Sequence, residues 1–375
     1  MTKESTSRIP SLDGLRAISV VMVLAAHSAL TVDFPEPLVP FFRIGGQIGV
    51  RVFFVLSGFL ITSLLIREQA KSSSVSLTGF YLRRSLRIFP VYVCYLLAVV
   101  LFTYVSGLSI GLDGYVHAAT FTTGVRPGDN WALAHTWSLS VEEQFYLFWP
   151  FLFAFAAPLL RKRLAIGIAL VIPFTRILFW AWGAKWLVQY SFLGNGDAIM
   201  WGCVSALVLA ETPSLVKKLA QSNPQHRLLT ATFVLFGMEI FHRGHFWPAL
   251  SVPLTLTVES FAIVFIIYSV TQNRSGMVFD ILNHPIVSRV GVLSYSIYLW
   301  QQLALYPASE NFTPYVWQRF PQNILVALVV AVLSYNLIEK PFLNLKEKLR
   351  REKRVDRPLP MVPLEGRVGS ERKVA

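Results

Sequence analysis

Apolar stretches of about 20 residues recur along the chain, and that is the length an α-helix needs to cross a hydrocarbon core of about 30 Å. Ten such segments can be read: 12–32, 47–66, 89–107, 136–158, 164–182, 189–210, 228–241, 251–270, 290–307 and 322–342. The seventh, LLTATFVLFGMEIF, is the shortest. Lipid cannot hydrogen-bond an open backbone, so segments of this kind must be helical. The expected fold is all-α: a polytopic membrane protein of about ten transmembrane helices. Only 15% of the 375 residues are charged, against roughly 25% in soluble proteins. The first apolar run is long and has no small-residue cleavage site, so an uncleaved anchor is expected.

The net charge of +13 would suggest nucleic acid in a soluble protein. In a membrane protein it is first a topology signal. With the N-terminus inside, most of the 34 basic residues fall on inner segments, including Arg67, Lys71, Arg83, Arg84, Arg87, Arg161, Lys162, Arg163 and the run from Lys340 onward. Arg43, Arg51, Arg126, Lys185, Arg243 and Arg319 fall outside, and Arg176 within a span. The asymmetry predicts that both termini are cytoplasmic, and it accounts for the charge without nucleic acid. Residues 1–345 read as one transmembrane domain. Residues 346–375 read as a basic, disordered cytoplasmic tail that touches anionic lipid. Segments 77–88 and 346–354 read as amphipathic pieces, interfacial or soluble. There is no internal repeat and no convincing pair of broken helices of the kind transporters use.

Cys94 and Cys203 lie in apolar runs and match neither a disulfide framework nor a zinc spacing. No metal is expected.

The polar residues inside the spans carry the functional signal. In LDGLRAISVVMVLAAHSAL, Ser11 can cap the first helix and Asp13 sits near its positive dipole end. Arg16 lies one turn in, where it can snorkel to the interface. Eleven residues at about 100° each return His27 to the same face, about 16 Å further along. An ionisable group at that depth marks a functional site by default, the alternative being a core histidine bonded to a neighbouring helix.

FYLRRSLRIFPVY places Arg84 and Arg87 three apart on one face, with Arg83 beside them. Guanidinium forks match phosphate oxygens, so the set fits either a seat for an anionic cofactor or a stop-transfer cluster. HTWSLSVEEQFYLFWP carries Glu142 and Glu143 on diverging sides of a helix, with Trp137, Tyr146 and Trp149 read as interface anchors. The connection before it, 108–135, ends at His135 and is long enough to cover a site. SYNLIEKPF places Glu339 near the end of the last span, where an inter-helical arginine is a better partner than adjacent Lys340. Asp197, in GNGDAIMWG, reads as structural among close-packing glycines. Ser57 and Gly58 in FFVLSGFLIT read as a helix-contact pair. A serine nucleophile would require a strand–helix elbow that is absent.

Taken in order, LDGLRAISVVMVLAAH, FFVLSGFLIT, RRSLRIFPVY, TWSLSVEEQFYLFWP, SYSIYLW and IEKPF resemble the acyltransferase 3 family. These are membrane-bound O-acyltransferases that modify bacterial surface polysaccharides and lipopolysaccharide. The resemblance spans Leu12 to Phe342. It implies a multi-pass protein of the bacterial inner membrane that takes acetyl-coenzyme A from the cytoplasm and acylates a hydroxyl of an exported glycan. It implies that Arg16 and His27 form the family's Arg-x10-His pair, with His27 indispensable. Arg84 and Arg87 match its Arg-x-x-Arg motif on the coenzyme A side, with Arg83 in the same basic set. Glu143 and Glu339 match its acidic positions. Gln301 stands where many members have histidine, and Asn195 where an arginine is common; both departures bear on acceptor contacts. Many relatives carry a hydrolase-like periplasmic domain at the C-terminus, which the short basic tail leaves unexpected here.

Transfer from a thioester needs a base for the hydroxyl proton and a charge for the oxyanion. His27 is the expected base or transient acyl carrier, with Glu143 or Glu339 orienting it or satisfying a buried arginine. A rival reading is a proton-coupled transporter or flippase using His27 and the carboxylates as a relay. A third is a non-catalytic sensor, for which His27 would be dispensable.

Overall fold

The computed structural model describes residues 10–125, 130–212, 214, 223–244, 248–272, 275–307 and 313–345. The predicted basic tail, the amphipathic segment 346–354 and the basic residues Arg126, Lys217, Lys218 and Arg274 lie outside the described residues. Among those described the fold is all-helical, the one extended contact being an isolated bridge between Thr31 and Pro307.

The elements are α1 (Pro10–Ser28), α2 (Val39–Ser72), α3 (Leu77–Ser106), α4 (Leu112–Ala119), α5 (Trp131–Ala134), α6 (Thr136–Phe155), α7 (Pro158–Ala181), α8 (Lys185–Tyr190) and α9 (Phe192–Glu211). They continue as α10 (Pro224–Arg243), α11 (Pro248–Gln272), α12 (Met277–Asn283), α13 (Pro285–Ala304) and α14 (Gln322–Ser334). Seven described helical segments are long and apolar enough to cross a membrane: Ser11–Ser28, Glu36–Ser72, Leu77–Ser106, Pro158–Ala181, Lys185–Glu211, Ser251–Gln272 and Gln322–Leu345. The other three expected spans are also helices, α6, α10 and α13, each 20 residues long. Their polar content sets them apart. α6 carries Glu142, Glu143 and Gln144, and α13 carries Arg289, Gln301 and Gln302. A helix whose polar face lines the protein interior need not be apolar all round.

Many large apolar side chains face outward on the long helices, among them Leu97, Tyr104, Phe174 and Leu337. Such a girdle is unfavourable in water and is what lipid contact calls for. α2, at 34 residues, is about 50 Å long, so its end bearing Arg67, Glu68 and Lys71 projects past the hydrocarbon core.

Local chemistry sets the helix ends. Ser76 caps α3 by accepting the Gly79 N–H at 3.2 Å, and Gly107, at φ +70°, closes it. Ser191 caps α9 by accepting the Gly194 N–H at 3.1 Å. Ser11 does not cap. Pro10 already opens α1, and the Ser11 hydroxyl instead exchanges hydrogen bonds with Asn283 at the end of α12. Segment 77–88 is the opening of α3, continuous with the span that follows, so it is not a separate interfacial piece.

Packing follows small residues, as expected where lipid tails are as apolar as the helices themselves. α1 packs between α2 and α13, and α2 lies along α9. A Cβ on Gly58 would overlap the carbonyl oxygen of Ile199, and one on Gly202 would overlap that of Val55. The α2–α9 crossing is therefore a reciprocal backbone contact. Gly58→Ala is expected to destabilise the fold by about 1–3 kcal/mol, because backbone must move to admit the methyl; thermal unfolding in detergent measures this. Gly291 meets Asp13 in the same way, and Gly14 meets Leu282. These contacts and the Thr31–Pro307 bridge lie at opposite ends of α1, so α1 and α13 run parallel.

Two further expectations are corrected. Trp137, Tyr146 and Trp149 are buried, with Trp149 Nε1 donating to Thr62 Oγ1 at 2.9 Å. They form core rather than an interfacial belt. Arg51, counted among the outer flanking charges, is buried within α2 and ion-paired with Glu259 of α11.

Candidate active site

The polar residues of α1, α3, α6 and α13 gather at two levels of one interhelical seam. The lower level is built on arginines. Arg84 of α3 lies over the ring of Tyr146, 3.6 Å from its centroid, and 3.8 Å from Glu142. The Tyr146 hydroxyl reaches Glu142 Oε2 at 2.9 Å and Ser57 Oγ at 2.9 Å, and the Ser57 hydroxyl donates to Glu142 Oε1 at 2.9 Å. Helical spacing explains part of this, since Glu142 and Tyr146 are four apart and share a face. Arg84 Nε is buried and has no partner.

Arg87, one turn further along α3, lies within electrostatic reach of Arg16, Arg84 and Glu339. Glu339 is buried and accepts a hydrogen bond from Ser296 at 2.9 Å, with Arg87 and Arg16 as its neighbouring cations. It sits in a π-helical turn, Tyr335–Glu339, in which the Lys340 N–H donates to the Tyr335 carbonyl. Pro341 supplies no N–H, and the wider turn before it carries Glu339 inward. Glu143 is coupled to Arg84 and Glu142. Five of the expected site residues, Arg16, Arg84, Arg87, Glu143 and Glu339, are thus brought together.

Arg83 is not among them. It pairs with Glu68 of α2 at 2.9 Å, both partly exposed.

The upper level holds His27. Its ring meets Trp131 edge-on, with centroids 5.1 Å apart. The Gln301 amide adjoins the imidazole, and His135 is within electrostatic range. Trp131 comes from the connection 108–135 and packs against the His27 ring. Its Nε1 donates to the Gln302 carbonyl at 2.9 Å, and Gln302 Nε2 donates to the Trp131 carbonyl at 2.7 Å. The neighbouring carboxylates, Glu143 and Glu339, lie at the arginine level, beside Arg84 and beside Arg87 and Arg16.

The two levels share their helices. Arg16 and His27 are separated by about 16 Å along α1, and Glu143 and His135 by about 12 Å along α6. This seam runs from a charged end to an imidazole end.

Sequence reasoning singled out neither Glu142 as the better-connected carboxylate nor Tyr146 and Ser57 as its partners. The i, i+4 spacing of Glu142 and Tyr146 was the available signal. Asp197 is structural, as expected. It is ion-paired with Arg176, and both are buried. Among the described residues no group of three or more His, Cys, Asp or Glu is placed to hold a metal ion.

The chain is similar in sequence to known proteins. The peptidoglycan O-acetyltransferase OatA of Listeria monocytogenes is 28% identical over 367 residues, covering 91% of this chain and 56% of its own length. A putative peptidoglycan O-acetyltransferase of Bacillus subtilis, YrhL, is 29% identical over 363 residues, covering 89% of this chain and 54% of its own. A putative O-acetyltransferase of Staphylococcus aureus strain COL is 28% identical over 383 residues, covering 89% and 57%. The chain therefore spans a little over half the length of these relatives. No solved structure matches it. The sequence model of the family, described as an acyltransferase domain, matches residues 9–338. That match runs from the start of α1 to the π-helical turn beside Glu339, and with it the chain belongs to the acyltransferase 3 family.

Proposed function

We propose that this protein is a membrane-embedded O-acyltransferase that moves an acyl group, acetyl by default, from cytoplasmic acyl-coenzyme A to a hydroxyl of an exported glycan. The observation that carries the reading is the division of one helical seam into an arginine end and an imidazole end, about 16 Å apart along α1. Arg84 and Arg87 hold the donor's phosphates, and the orphaned Arg84 Nε is a donor suited to such an anion. Arg16 continues the basic surface toward His27, and Arg83 lies at its rim. The donor, when bound, supplies a thioester whose carbonyl carbon is open to attack.

His27 takes the proton of the acceptor hydroxyl as its oxygen bonds to that carbon, and returns it to the departing sulfur. Glu143 and Glu339 keep the buried guanidiniums in place. The basic inner segments support cytoplasmic termini and a multi-pass location in the bacterial inner membrane. The names of the Listeria and Bacillus relatives, which say peptidoglycan, support a cell-wall glycan as the acceptor class.

Purified protein in lipid nanodiscs, given labelled acetyl-coenzyme A and extracted surface glycan, is expected to place label in the glycan. Glycan transport across vesicles without label in the product would favour the relay reading instead. In the same assay Arg84→Ala and Arg87→Ala are each expected to raise the donor KM by about 10–100-fold, the worth of a charge-assisted hydrogen bond, with a smaller change in kcat. Arg83→Ala is expected to move KM by less than about fivefold, since its partly exposed pair with Glu68 contributes little.

A further inference from the structure

Two imidazoles and an amide, carried on α1, the α5–α6 junction and α13, converge at the upper level with hydrogen bonds unmade. His27 Nδ1, both ring nitrogens of His135, and both polar atoms of the Gln301 amide are buried and make no hydrogen bond of ordinary geometry, although the Gln301 amide lies in reach of His27 and the Leu299 backbone in reach of His135. Gln301 is wholly buried, and His135 is 3% exposed. Buried polar groups in native proteins are nearly always paired. A concentration of unpaired ones marks the place where a bound group's polar atoms belong.

The surroundings hold these groups in fixed positions. The Tyr298 hydroxyl and Ser138 Oγ are 2.5 Å apart and reach the His135 carbonyl at 3.2 and 3.1 Å. Tyr95 donates to the Ala132 carbonyl at 2.5 Å, and its ring meets the His135 ring edge-on at 5.3 Å. With the Trp131–Gln302 pair, these contacts clamp the backbone on both sides of His135. A neutral imidazole carries one N–H and a primary amide carries two. The upper level therefore holds fixed donors that its own contacts leave unsatisfied in ordinary hydrogen-bond geometry.

Acyl transfer creates a need for such donors, because the attacked carbonyl oxygen becomes an anion. The arginines are poorly placed to meet it. Arg16 lies about 16 Å below His27 along α1, and Arg84 and Arg87 belong to the same lower level. We propose that Gln301 and His135 are the oxyanion-binding residues of this centre. The inference rests on the O-acyltransferase reading above and adds to it the residues that stabilise the transition state.

As the acceptor oxygen bonds to the acyl carbon, its proton passes to His27 and the carbonyl π electrons move onto the carbonyl oxygen. The Gln301 Nε2–H and the His135 N–H donate to that oxygen. When the electrons return, the carbon–sulfur bond breaks, and the sulfur leaves with the bonding pair and takes the proton from His27.

The test compares wild type, His27→Ala, Gln301→Met, His135→Phe and His135→Gln in the labelled acetyl-coenzyme A assay, with thermal unfolding of each variant. Gln301→Met and His135→Phe are each expected to lower kcat by about 100-fold while both KM values hold within about threefold. His135→Gln retains an N–H donor and is expected to recover to within about tenfold of wild type. If His135→Phe does not fold, Gln301→Met and His135→Gln decide the matter. Suppose wild type transfers label and His27→Ala does not, yet Gln301→Met keeps its kcat or loses activity through KM alone. The oxyanion assignment then fails and the acyltransferase reading stands. Absence of transfer by wild type strikes that reading itself.

Discussion

His27→Ala is expected to lower kcat for acyl transfer by about 10²–10⁴-fold, the usual contribution of a positioned general base. The donor KM is expected to change little, because Arg84 and Arg87, proposed to hold the donor, lie at the far level of the seam. That split separates a catalytic imidazole from one that merely fills space. Loss of a packing residue would lower the unfolding temperature and the activity together, so thermal unfolding is measured beside the kinetics. The structure favours the split. His27 is half-buried, meets Trp131 edge-on and has an unpartnered Nδ1. Full activity in a folded His27→Ala variant would leave the sensor reading standing and remove the acyltransferase mechanism.

How much of this was legible in the sequence depends on what each signal measures. Apolar length reports helices well, and every expected span is found as one. It does not report which helices line a polar interior, so α6, α10 and α13 fall below the apolarity of their neighbours. The 3.6-residue period aligned Arg16 with His27, and adjacency arguments gave Glu339 an arginine neighbour on another helix, as found. Residue type alone does not fix the rotation of a helix. The aromatic residues of α6 were therefore read as an interfacial belt when they pack in the core. The hydrogen bonds of Glu142 to Ser57 and Tyr146 likewise depend on that rotation. His135 looked like the end of a loop. Its approach to His27 depends on the Trp131–Gln302 pair, which joins residues 171 positions apart, and no local pattern announces a contact at that separation.

Asp197→Ala is expected to destabilise the folded protein by about 3–5 kcal/mol, the cost of leaving one member of a buried ion pair uncompensated. Arg176 is wholly buried in α7. Its Nε donates to the Gly194 carbonyl at 2.6 Å, and Nη1 donates to the Pro253 carbonyl at 2.8 Å and to Thr257 Oγ1 at 3.0 Å. Its remaining nitrogen, Nη2, is ion-paired with Asp197, whose other oxygen accepts the Thr257 hydroxyl at 2.7 Å. The network ties α7, α9 and α11 together away from the seam. Removing the carboxylate strands a buried guanidinium. Replacing both partners, as Arg176→Met with Asp197→Leu, removes the stranded charge and is expected to recover at least about half of that loss. Thermal unfolding in detergent of Arg176→Met, Asp197→Leu and the double variant measures the coupling directly. If the double variant were no more stable than Asp197→Ala, the pair would be holding the three helices by directional hydrogen bonds rather than by mutual neutralisation. Both single variants, once folded, are expected to keep the donor KM, because nothing in this network touches Arg84, Arg87 or His27.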